Sequence, residues 1–92
     1  MEQLRRAVET IIAENGDVYQ IAPVPLPFMA IQTERSKVHG RVDADLLAPL
    51  VVQAGVIEPL LTERALLMLM RNHPALFVRL FDRIVSLTTG EG

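Results

Sequence analysis

Several things are missing from this chain, and each absence narrows what it can be. There is no cysteine, so there is no disulfide framework, no thiolate nucleophile and no cysteine ligand for a metal. That composition suits a reducing cytosol. Aromatic residues make up 4% of a chain that is 50% hydrophobic, so Leu, Val, Ile, Ala and four Met carry the apolar load. Nor is there a basic block. The formal net charge is −2, with charges of both signs scattered, and nothing concentrates positive charge against phosphates. A nucleic-acid partner is therefore not expected. The longest apolar run, Ala65-Leu66-Leu67-Met68-Leu69-Met70, falls far short of the ~20 residues that a spanning helix needs, so no membrane partner is expected either. The opening MEQLRRAVETIIAENG has acidic residues inside its apolar stretch and no small-residue cleavage site, which is not the build of a signal peptide. Internal repeats and low-complexity segments are absent as well.

What is present is enough for one domain over residues 1–92 with a single core. Leu4, Ala7, Val8, Ile11 and Ile12 fall at helical spacing, and Asn15-Gly16 follows as a C-terminal stop. This predicts an N-terminal helix within 1–16. Residues 17–27, DVYQIAPVPLP, carry proline at every second position from Pro23 to Pro27. That excludes a helix interior and a central strand and predicts an extended connector laid over the helices, with room for a short strand at Val18–Ile21. No basic anchor flanks PVPLP, so a stiff connector is favoured over a proline-rich recognition motif.

The rest, 28–90, reads as a helical core region. Pro27 suits a helix first turn, and Gly40 ends that element. Asp43 is placed as an N-cap for 44–54, with Asp45 complementing the helix dipole. Leu46, Leu47, Leu50, Val51 and Ala54 form its apolar face, Pro49 interrupts it, and Gly55 reads as its stop. Glu58-Pro59 makes a turn. Thr62 caps a helix from Glu63 to Arg71, and Pro74 opens the last helix. There Leu76, Phe77, Leu80, Phe81, Ile84, Leu87 and Thr88 make the clearest stripe in the chain. The fold expected is all-α: a compact bundle of four to five short helices, with a proline-rich extended connector after the first. Its core is assigned to Leu4, Val8, Ile11, Leu47, Leu50, Phe77, Leu80, Phe81 and Ile84.

No constellation for chemistry emerges. Asp43 and Asp45 are explained by capping. His39 and His73 stand apart, with no other ligand at metal spacing. Ser36 and Ser86 have no His/Asp companions, and isolated glycines make no phosphate loop. The expectation is a non-enzyme without metal, cofactor or small-molecule substrate. What stands out is ERALLMLMR, apolar on nearly all faces where a surface helix needs one stripe. Either it is fully buried or one side meets a partner. Met68 and Met70 are flexible and polarizable, which suits adaptable contacts. Leu66, Leu67, Met68, Met70 and Val78 are taken as a partner-binding groove or self-association surface.

The run VVQAGVIEPLLTE, followed by HPALFVRLFDRIVSLTTG, resembles the small tail assembly chaperones of long-tailed bacteriophages and prophages. In that family an apolar helix meets a glycine-valine-aliphatic junction with a proline and then a leucine-hydroxyl pair. A short helix follows, and then a closing helix. The matching residues here are Gly55, Val56, Ile57, Pro59, Leu61 and Thr62, then Ile84, Leu87, Thr88 or Thr89, and Gly90. Upstream, YQIAPVPLPFMAI is similar to a family segment. The likeness spans residues 18–90; the three-proline run and the preceding helix are additions to the pattern.

The resemblance implies a helical chaperone that binds the tape measure protein, a very long helical protein. It would keep that protein soluble in the host cytoplasm while the tail tube assembles, then be displaced and be absent from the finished virion. It also implies a homo-oligomer. Two alternatives are carried: a permanently assembled virion structural or connector protein, and a small helical regulatory protein that docks on a host protein. A DNA-binding helix pair over 63–88 is disfavoured, because Arg79 and Arg83 are its only basic groups on the second helix, against Asp82.

Overall fold

The computed structural model describes residues 8–90. In chain order the elements are β1 (Glu9–Ile12), β2 (Val18–Ile21), α1 (Leu26–Arg35), β3 (Lys37–Val38), β4 (Arg41–Val42), α2 (Ala44–Gly55), β5 (Val56–Glu58), α3 (Glu63–Asn72) and α4 (Pro74–Thr89). The expected all-α bundle is thereby corrected. Four helices pack with a three-stranded antiparallel sheet of order β1-β2-β5 and a two-stranded ribbon, β3-β4.

The first departure is the N-terminal helix expected within 1–16. Its described part, from residue 8 onward, is a strand and a turn. Apolar residues at 8, 11 and 12 satisfy a helical period, but Thr10, Ile11 and Ile12 are β-branched and pack better on a pleated surface. Asn15-Gly16 is then the tip of a hairpin and not a helix stop. Gly16 donates its N–H to the Ala13 carbonyl at 2.9 Å, Ala13 donates to the Asp17 carbonyl at 2.8 Å, and Asn15 Oδ1 takes the Asp17 N–H at 2.9 Å. Gly16 has φ 95°, a conformation that glycine adopts without a Cβ penalty. Leu4, assigned to the core, lies outside the described residues.

Strand register sorts the hairpin's side chains. Ile11 pairs with Tyr19 and Ile12 with Val18. Alternation turns Ile11 and Ile21 into the core, and Ile12 and Val18 to solvent. Val8, also assigned to the core, is exposed. β5 adds to the other side of β2 through Ile21 and Val56. A three-residue strand has almost no local signal of its own, which is why 56–58 looked like connector.

The proline-rich segment does not lie over the surface. Ala22 and Val24 are buried while Pro25 turns outward. Ala22 donates its N–H to the Gly55 carbonyl at 2.9 Å, and Val24 donates to Thr88 Oγ1 at 3.0 Å. Proline at alternate positions of an extended chain leaves N–H groups only on the residues between. Val24, between Pro23 and Pro25, and Ala22, just before Pro23, are the two that meet acceptors.

α1 ends at Arg35, and its cap Ser36 leads directly into a tight hairpin whose tip is His39 (φ 52°) and Gly40 (φ 79°). Gly40 therefore serves a two-residue turn, not a helix end. Asp43 caps α2 as expected, its side chain accepting the Asp45 N–H at 2.9 Å. The helix continues through Pro49 to Gly55, so Gly55 is its last residue and not a stop beyond it. A Cβ on Gly55 would lie 2.6 Å from Ile84 Cδ1 and 2.7 Å from its Cγ2. The bare glycine lets α2 come down on α4. That approach rotates α2 so that Val51, Val52 and Gly55 are buried. Leu50, assigned to the core, is 38% exposed and Leu46 48%.

α4 is the spine. Phe77, Leu80 and Ile84 are buried together with Ile11, Ile21, Val56, Leu66 and Leu69 in one apolar cluster, against which Leu47 and Phe81 pack half-buried. The sheet, α2 and α3 therefore all bury their apolar faces on α4. Arg83 ties β1 to it with two hydrogen bonds to Glu9, 2.9 Å from Nε and 2.7 Å from Nη2.

Candidate partner-binding surface

α3 starts where Thr62 Oγ1 accepts the Ala65 N–H at 3.1 Å and runs to Asn72. His73 alone joins it to α4, being the C-cap of one and the N-cap of the other. Among the described residues α3 packs mainly on α4, and it buries a single stripe. Leu66 and Leu69 are in the core, and Ala65 and Met70 are half-buried. Leu67 and Met68 point away, 61% and 47% exposed. Of the five residues read as a groove, two are thus turned inward (Leu66 and Met70) and two outward (Leu67 and Met68). The fifth, Val78, is exposed on α4.

The connector before α3 adds the most exposed large apolar side chain among the described residues, Leu60 at 81%. Gln53 of α2 holds this connector by donating to the Leu61 carbonyl at 3.0 Å. Pro59, Leu60 and Leu61 face Met68 and Tyr19 across a hollow of about 350 Å³. A second hollow of about 440 Å³ lies between the β1-β2 turn and the start of α4, lined by Glu14, Asn72, His73 and Arg79 among others. Tyr19, Asn72 and His73 border both, so the two hollows share one wall. Burial, and then the charge of Asp17, raise the Tyr19 phenol above its ordinary pKa.

Of the motif residues, Pro59 and Leu61 line the hollow, and Gly55, Val56, Ile57 and Thr62 pack or cap within the fold. Gly55 seats α2 on Ile84, Val56 is buried in β5, Ile57 is half-buried, Pro59 follows a cis peptide bond, and Thr62 is a cap. Among the described residues no three His, Asp or Glu side chains gather as metal ligands. No described helix is long and apolar enough to cross a membrane. Leu60 and Tyr19 were missed as surface residues by sequence reasoning. The signal for Leu60 was there, in an apolar pair inside a proline-marked connector. Tyr19 gave none, because its position depends on the pairing of β2 with β1 and β5.

No protein-family model, curated protein or solved structure matches the chain.

Proposed function

We propose that this protein is a tail assembly chaperone that binds the tape measure protein of a long-tailed phage or prophage and holds it soluble while the tail tube assembles. One observation supports the reading most. Leu60, Leu67 and Met68 leave apolar side chains uncovered beside an apolar hollow, in a domain whose other apolar α3 residues are already packed. Contiguous exposed apolar surface is where soluble proteins meet partners. An amphipathic helix laid into such a groove is a recurring mode of recognition. The hollow is shallow, and Met68 is adaptable, so binding would be broad and release easy. A chaperone that must be displaced by tube subunits needs both. Action in the host cytoplasm, self-association and absence from the finished particle belong to the same proposal.

The test is co-expression with the longest helix-rich protein encoded just downstream, followed by size exclusion with light scattering. The expected result is a long protein that is soluble only in the presence of this one, with several copies co-eluting. If the long protein stays insoluble while this chain runs alone as a closed oligomer, the proposal falls. Recovery of the chain in purified virions would favour a structural or connector protein instead.

A further inference from the structure

We infer that the outer ridge of α3 selects a partner helix whose apolar face is bracketed by carboxylates about one heptad apart. The inference rests on the reading of this surface as a helix-binding one, and it names the partner's chemistry.

Arg64, Leu67, Met68 and Arg71 are all exposed, and their spacing of three, four and seven places them on one stripe of the helix. Each end of the apolar pair thus carries a guanidinium, about 10 Å apart along the axis at 1.5 Å per residue. Neither has a hydrogen bond or ion pair among the described residues. The other two arginines of this half of the chain are in use. Arg79 donates to the Ile12 carbonyl at 3.3 Å, and Arg83 holds Glu9. Among the described residues no acidic group forms an ion pair with either guanidinium. Glu63 sits in the first turn of α3, where the helix dipole favours it. Glu58 lies on β5, and Glu14 lines the hollow at the Arg79 end.

The chain as a whole carries a net charge of −2, so these arginines set the ridge against the sign of the molecule. An acidic partner is drawn to this ridge. Carboxylates reaching both guanidinium groups would form charge-assisted hydrogen bonds while Leu67 and Met68 meet the partner's apolar stripe. Complementarity of this kind fixes register and suppresses wrong partners more than it adds raw affinity.

The experiment uses the full chain and two labelled synthetic helices with the same leucine stripe. One carries glutamates seven residues apart beside the stripe, and the other carries lysines there. Fluorescence anisotropy is expected to give about tenfold tighter binding of the glutamate peptide, the size that two exposed ion pairs supply, and the gap should shrink as salt rises. In the double variant Arg64→Glu, Arg71→Glu the preference should reverse, with circular dichroism unchanged because both positions are exposed. Equal binding, a lysine preference, no binding of either peptide, or a preference that survives the double variant would overturn the inference. Co-expression of the double variant with the long downstream protein separates the two claims. If wild type and variant solubilise it equally, the charge rule fails and the chaperone reading stands. Failure of the wild type itself removes the chaperone reading.

Discussion

α3 and α4 are joined by a single residue and are both rich in leucine, yet the molecule treats them oppositely. α4 has the sheet, α2 and α3 packed around it. Its Leu80 and Ile84 are fully buried, and its polar side chains bind other elements: Arg83 to Glu9, Arg79 to Ile12, Thr88 to Val24. α3 has α4 behind it and, among the described residues, no element on its outer side, so it buries Leu66 and Leu69 and leaves Leu67 and Met68 to solvent. The contrast shows that apolar content does not say how much of a helix is covered. The number of neighbours decides that, and in a chain this short there are enough for one central helix only.

The difference can be sharpened by mutation. Leu80→Ala should lower stability by about 2–5 kcal/mol in urea denaturation, since it opens a cavity at the centre. The matched change on α3, Leu67→Ala, should stay within about 0.5 kcal/mol. A comparable loss from both would mean that α3 is covered and the distinction is false. Gly55→Ala comes next, at about 1–3 kcal/mol, because a methyl group would have to displace the Ile84 side chain from contact distance. Thr62→Ala should cost about 1 kcal/mol by removing the α3 cap, read from the same denaturation curves.

Met68→Asp is expected to leave helical content intact while abolishing capture of the long partner in co-expression. Global unfolding of that variant would place Met68 in the core and remove the proposed surface. The smallest effect belongs to Glu9→Gln. The hydrogen bonds from Arg83, outweighing a small desolvation, hold the Glu9 carboxyl below its ordinary pKa of 4.5. A folded pKa lower than the unfolded one stabilises the fold above the unfolded value, and the contribution is lost as pH falls through the folded one. Glu9→Gln should therefore flatten the acid side of the stability profile below about pH 4.5. It should matter less in high salt. An unchanged acid limb would show that the pair does not hold β1.

Most of the helical half was legible because its signals are local. Asp43 and Thr62 are caps, Pro74 opens α4, and the α4 stripe from Leu76 to Thr88 has a strong 3.6-residue period. The sheet was not legible, for a physical reason. Val8, Ile11 and Ile12 fit a helix as well as a strand over so few residues, and β5 exists only through its pairing with β2. The rotation of α2 was hidden too. It follows from Gly55 meeting Ile84, a contact between residues far apart in sequence. On the surface, the apolar excess of α3 was visible in the sequence, but the split between its inward and outward residues was not. Leu66 and Leu67 look alike until α4 is placed behind one of them.

The bonds that α4 makes to the N-terminal third have a consequence for synthesis. Val24 finds its acceptor 64 residues later, and Glu9 its guanidinium 74 residues later. While the chain is being made, the hairpin and the proline segment emerge well before the α4 side chains that hold them. Contacts this distant in sequence form slowly and late. The fold must therefore snap shut only after Arg83 and Thr88 have left the ribosome. A chain released short of Arg83 would leave β1 without its anchor and the α4 cluster incomplete.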